Sequence, residues 1–243
     1  EHIDGLLGRY SMDAGTPLGQ HTYRAARASA DTALTAAKMI LDGEKSVFGL
    51  CRPPGHHAER ETPMGFCLFG NIAIGAKHAL DHHGLKRVAV VDFDVHHGNG
   101  TQDLLQDDPR VLFISSHEMP LYPGTGDPSD TGEHDNVINI ALKAGTRSKE
   151  FREIYEAQVF PRLRAFKPDL ILVSAGFDAH RADPLANICL ETADFAWVTG
   201  RICDIADQVC EGRVVSALEG GYDLEALADS AAAHVKTLQE RAA

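Results

Sequence analysis

Asp92, Asp94 and His96 alternate within the stretch Asp92-Phe93-Asp94-Val95-His96-His97-Gly98-Asn99-Gly100. In an extended strand tip, alternate side chains point to the same side, so carboxylate and imidazole donors gather there. Asp94 and His96 can hold a divalent metal together. Asp178, in Ala175-Gly176-Phe177-Asp178, can join them from a different strand end. One imidazole and two carboxylates, with water in the fourth place, form a catalytic type of zinc set and not a closed structural one. The carboxylates formally neutralise Zn²⁺, and the imidazole favours zinc or ferrous iron over magnesium or calcium. The competing reading of this segment is a polar turn that follows a strand and caps the next helix.

A metal with one open position polarises a carbonyl and lowers the pKa of its bound water. A histidine beside that water can take its proton and later give it to a leaving amine. His56 and His57, behind the stiff turn Arg52-Pro53-Pro54-Gly55, are the candidates. Each needs an orienting partner on its far nitrogen, and Asp92 and Asn99 stand in the right segment to supply one. A carboxylate partner raises basicity more than an amide does, so the two histidines are expected to differ in pKa. Tyr222, after Glu219-Gly220-Gly221, can donate to the oxyanion that forms on the carbonyl. Taken singly, the histidine pair reads as a solvated loop and Tyr222 as a loop aromatic. Taken together, these groups describe hydrolysis of an amide by metal-activated water.

The elements that must position them are short apolar runs at 46–51, 87–91, 111–115, 170–174 and 214–218, with a further one at 137–141. Most lack polar alternation, as expected of strands covered on both faces. Between them lie amphipathic stretches at 21–42, 66–83, 148–166, 191–211 and 224–241. Asp42-Gly43 and Gly84 read as helix ends, and Pro161 should kink or split its segment. This alternation predicts an α/β domain, one unit over 1–243, with a mainly parallel sheet flanked by helices. In such a sheet, ligands bind at the carboxyl ends of the strands, where the Asp, His and Tyr groups above all fall. The Pro/Gly/Asp-rich loop at 119–135 is long for a plain connection and is read as functional.

Composition narrows the partners. The chain of 243 residues carries a net charge of −12, which repels phosphate backbones and predicts no direct nucleic-acid binding. It suits cationic substrates. The five cysteines include no C-x-x-C pair and read as reduced thiols of a cytoplasmic protein. No apolar run reaches the length of about 18 residues that a membrane helix needs, and no secretory signal is present.

The blocks Arg52-Pro53-Pro54-Gly55-His56-His57, Gly65-Phe66-Cys67, Asp92 to Thr101, Tyr122-Pro123-Gly124-Thr125-Gly126 and Glu219-Gly220-Gly221-Tyr222 together resemble the zinc-dependent histone deacetylase family. That family also includes acetylpolyamine amidohydrolases and acetoin-utilisation proteins. The likeness runs in the family's order from about Asp13 to about Leu224. It implies the arginase/deacetylase fold and deacylation of an acylated lysine in a protein or peptide; the alternatives are an acetylated polyamine as substrate or a non-catalytic acyl-lysine- or metal-binding module. By position, Asp94, His96 and Asp178 match the zinc ligands, and His57 matches the general base, with Asn99 as its partner. His56 pairs with Asp92, and Tyr222 matches the carbonyl-polarising tyrosine. The resemblance further implies a narrow substrate channel with Gly65, Phe66 and Tyr122 in its walls and Asp13 as a rim carboxylate. It also implies a potassium ion near Asp92, Asp94, His96, Ser115 and Ser116. Asn99 stands where many members carry Asp, as in the class II and bacterial branch, and Gly70 replaces a common Asn. The chain also lacks the family's usual N-terminal segment.

Overall fold

Six parallel strands form one sheet among the residues that the computed structural model describes, 13–242. The expectation about the start of the chain lies outside those residues. The strands are β1 (Ser46–Gly49), β2 (Val88–Asp92), β3 (Val111–Glu118), β4 (Val137–Leu142), β5 (Leu170–Ala175) and β6 (Val214–Leu218). Their spatial order is β1-β6-β5-β2-β3-β4, and every pairing is parallel. All residues of β2, β3 and β5 are buried, so their unbroken apolar runs follow from cover on both faces.

The two faces carry separate cores. Val88, Val90, Val111 and Phe113 pack under α1 (Thr22–Leu41), α2 (Asn71–His82) and Leu105 of α3 (Asn99–Leu105). Ala89, Val91, Leu112 and Ile114 pack on the other face, under α4 (Ser148–Ile154), α5 (Phe160–Phe166), α6 (Thr192–Val209) and α7 (Leu224–Ala242). The alanines of α1 let it lie close to its neighbours, and Gly43 beyond its end takes φ 119°, as a C-terminal glycine does.

Four elements differ from the sequence expectation. The helix read over 66–83 begins only at Asn71. Gly65 and Phe66 both take positive φ (55° and 68°), and Met64 and Cys67 exchange main-chain hydrogen bonds, which makes a tight turn instead of a first helical turn. The segment 148–166 stays helical throughout. A π turn at Tyr155–Val159 shifts its register, and Pro161 follows in the first turn of α5, where its missing N–H costs least. α3 was absent from the helices expected above, and β3 runs three residues further than the apolar run, to Glu118.

The chain leaves β2 towards β3 on one side and leaves β5 towards β6 on the other. β2 and β5 are neighbours, so their connections part above a crevice at the carboxyl end of the sheet. A fold of this kind places its ligand site at that switch point.

Candidate active site

Asp94 and His96 rise from the end of β2, and Asp178 rises from the end of β5, across that crevice. One ligand atom from each lies within 4.8 Å of the others. His96 Nδ1 is 3.1 Å from both Asp94 Oδ1 and Asp178 Oδ2. The second oxygens are fixed by main-chain donors: Gly220 N–H to Asp94 Oδ2 at 2.8 Å and Val95 N–H to Asp178 Oδ1 at 2.9 Å. A Cβ on Gly176 or Gly220 would collide with Asp94, so only glycine fits the walls on either side.

The charge balance there calls for a cation. Both carboxylates are fully buried. Burial, and then the Asp94 charge alongside, push the Asp178 carboxyl up to about 7. Burial opposes a proton on His96, but hydrogen bonds to Asp178 and Asp94 raise it to about 10. An imidazolium proton thus sits where a divalent cation would serve both carboxylates better. Two carboxylates and one imidazole make a donor set that fits a metal of zinc type.

The tandem histidines stand beside the triad and differ sharply. His56 Nδ1 is 3.0 Å from Asp92 Oδ2, and its Nε2 is 3.7 Å from Asp94 Oδ1. Burial works against its charge, but Asp94 and Asp92 outweigh it and hold His56 well above the usual histidine range. His57 Nδ1 is 2.7 Å from Asn99 Oδ1. Asn99 Nδ2 donates to Glu59 Oε1 at 2.7 Å, which turns the amide oxygen towards His57. His57 therefore carries its proton on Nδ1 and presents a lone pair on Nε2. Burial, and then the neighbouring His56 charge, hold His57 well below the usual range. The pair is a buried cation beside a neutral base.

Aromatic rings surround this centre. Tyr122 meets His57 edge-on at 5.1 Å and His96 at 6.2 Å between ring centres. Phe66 meets Tyr222 at 5.9 Å. Phe66 and Tyr122 remain partly open, at 41% and 42% exposure, as walls of an entrance would be. Burial, and then the charges of Asp94 and Asp178, drive the Tyr222 phenol far up, so it stays a hydrogen-bond donor. Gly65 packs flat on the His57 ring, where any Cβ would collide. Asp13 holds that turn: its carboxylate accepts from Gly65 N–H and Thr16 Oγ–H, and Thr16 Oγ1 in turn accepts from Phe66 N–H.

Ser115 and Ser116 lie on β3, with Ser115 in register beside Asp92. Their hydroxyls bond His117 (3.0 Å) and Tyr155 (2.7 Å), so neither is directed at Asp94 or His96. Two carboxylates escaped the sequence reading. Glu219 Oε2 accepts from Gly55 N–H (2.7 Å) and His56 N–H (3.2 Å), while its Oε1 accepts from Ser174 at 3.0 Å. Asp183 accepts from Tyr222 N–H at 2.7 Å. Glu219 follows a buried strand directly, which was a usable signal; the position of Asp183 carried none.

A family model described as histone deacetylase domain matches residues 3–238. Histone deacetylase 14, chloroplastic, of Arabidopsis thaliana is 46% identical over 217 residues, which are 88% of this chain and 51% of that protein. The chain thus spans about half the length of that relative. The solved HDA15 HD domain superposes with a TM-score of 0.89 at 37% identity, over 93% of this chain and 65% of that one. An acetylpolyamine aminohydrolase from Burkholderia pseudomallei superposes with a TM-score of 0.86 at 34% identity, over 95% of this chain and 67% of that one.

Proposed function

The chain belongs to the histone deacetylase family, and from that premise we propose that it hydrolyses the amide of an acylated lysine in a protein or peptide, with one zinc ion held by Asp94, His96 and Asp178. The observation that carries this reading is the buried triad with a neutral histidine, His57, and a cationic one, His56, at its side. The domain 1–243 is read as one catalytic unit. Its five free thiols, four of them buried, suit a reducing compartment such as the cytoplasm. No described helix is long and apolar enough to cross a membrane.

Bound at the triad, zinc would polarise the substrate carbonyl and acidify a water. His57 Nε2 takes the proton of that water, and Asn99 fixes the ring while it does so. The charge on His56 keeps His57 a weak holder of the proton, which favours handing it to the leaving amine. Asp92 keeps His56 charged and in place. The Tyr222 hydroxyl donates to the carbonyl oxygen as negative charge develops there. Phe66 and Tyr122 line the approach for an extended apolar arm such as an acyl-lysine side chain, and Asp13 braces the turn that carries Phe66. The products are the free amine and a carboxylate. A potassium ion near Asp92, Asp94, His96, Ser115 and Ser116 belongs to the same reading.

Acetate release from an acetyl-lysine peptide, stopped by a chelator and restored by zinc, tests the proposal. Tight hydroxamate binding by a zinc-loaded chain without turnover would favour a binding module. Similarity to an acetylpolyamine aminohydrolase, together with the net charge of −12, supports a second substrate reading, an acetylated polyamine. Comparing turnover of acetylputrescine with that of the peptide separates the two.

A further inference from the structure

α2 ends in three histidines, His78, His82 and His83, that take no part in the site above. They lie at the opposite rim of the sheet. α2 runs back from the crevice, and His83 stands just ahead of β2, which begins at Val88. His78 and His82 are four residues apart and so share one helix face, with ring centres 5.0 Å apart. Beyond the helix end, the chain folds His83 back until its Nε2 is 3.1 Å from Nε2 of His78.

We propose that His78 and His83 form a second metal site, on the protein surface, for a divalent transition metal of the zinc, nickel or copper type, with His82 as a third ligand brought in by side-chain rotation. Two imidazole nitrogens on one tetrahedral zinc, each at about 2.0–2.1 Å, stand about 3.3 Å apart. The observed 3.1 Å separation needs only a small adjustment to admit the ion. Without a metal the two rings share one hydrogen, one nitrogen donating and the other accepting. The nearest carboxylate in sequence, Asp81, is engaged by Arg110 at 2.8 Å, so the donor set is all imidazole. Such a set takes borderline metals and leaves magnesium and calcium to oxygen ligands. Partial burial and the nearby His83, His82 and Lys38 hold His78 below the usual histidine range, which leaves its lone pair available at neutral pH. Lys38 opposes an incoming cation, and the net charge of −12 favours one.

The site does not depend on the deacetylase reading. The test titrates the whole chain, carrying one equivalent of zinc, with Ni²⁺, and counts bound metal by elemental analysis after gel filtration. The expected result is a second equivalent in the unaltered chain. It should be lost in the His78→Gln/His83→Gln variant, which keeps its first equivalent and its fold. An Asp94→Ala chain should retain one Ni²⁺ at the histidines whatever becomes of the active site. A single equivalent in the unaltered chain, or a second equivalent that survives the double substitution, would overturn the proposal.

Discussion

The ring of His57 is aimed by Asn99: their 2.7 Å hydrogen bond puts the proton on Nδ1 and leaves Nε2 bare, because Glu59 holds the other end of the amide. An amide does this without lending charge. Asn99→Asp should therefore raise the proton affinity of His57, since a carboxylate stabilises the imidazolium. The protonated, inactive form would then persist to higher pH, and the acid limb of kcat/KM should move upward. An unmoved acid limb would detach Asn99 from the base.

His57→Ala should cost more than His56→Ala at pH 7. Loss of the base removes a proton-transfer contribution of about 10²- to 10⁴-fold. His56 is already protonated and acts through its charge. Steady-state rates of the two variants decide the matter, and the reverse order would exchange the assigned roles.

Tyr222→Phe should keep its bound zinc and its fold while losing about 10²- to 10³-fold in kcat, the usual effect of deleting one donor to an oxyanion. Asp183 holds the Tyr222 main chain and is untouched by this change. Full turnover by the variant would remove the phenol from the reaction.

Chelator-treated protein should lose stability as pH rises from 6.5 to 8. In the folded chain His96 is raised to about 10, and Asp178 and Glu219 to about 7. All three exceed their unfolded values, so over this window these groups hold more protons in the folded state than in the unfolded one, and their deprotonation costs stability. Zinc bound at the triad would substitute for those protons. Its addition should raise Tm more at pH 8 than at pH 6.5, and an equal rise at both would contradict the charge balance described for the triad.

A buried histidine far from the chemistry contributes to the acid limit. Thr199 gives its hydroxyl proton to Phe195 O, so His234 donates from Nδ1 to Thr199 Oγ1, and its Nε2 accepts from Ser216. Burial lowers His234 to about 3. Its unfolded value is near 6.5, so its contribution is fully present above pH 6.5 and is lost as pH falls towards 3. The loss is about 1.4 kcal/mol per pH unit within that window. Denaturant titrations of His234→Gln should show a pH slope smaller by about one proton between pH 5 and 6.

The metal triad and the tandem histidines were legible in the sequence because they follow strand ends, where a parallel sheet must present them. Alternation alone put Asp92, Asp94 and His96 on one side. The turn at Gly65-Phe66 was not legible. Its apolar pattern suits a helix, and only Asp13, Thr16 and the His57 ring force the backbone out of one. Asp183 was hidden for a related reason, and the role of Glu219, though not its place after a strand, was hidden with it. They hold main-chain N–H groups of distant loops, and sequence spacing carries no record of such bonds. At Pro161 the segment stays helical because the proline falls in the first turn of α5, after a π turn whose Tyr155 hydroxyl shares a hydrogen bond with Ser116.

Glu219 reaches back 164 positions to Gly55, and Gly220 reaches back 126 positions to Asp94. On a ribosome, which releases a chain from its N-terminus, the tandem-histidine loop and the β2 tip therefore emerge long before the groups that hold them. β6 must slot between β1 and β5, two strands made earlier, before either bond can form. The centre is thus assembled only after β6 and the Glu219-Gly220 turn have emerged, and a chain cut before them lacks the groups that hold the triad and the tandem-histidine loop. Metal capture then reports that the whole sheet has closed.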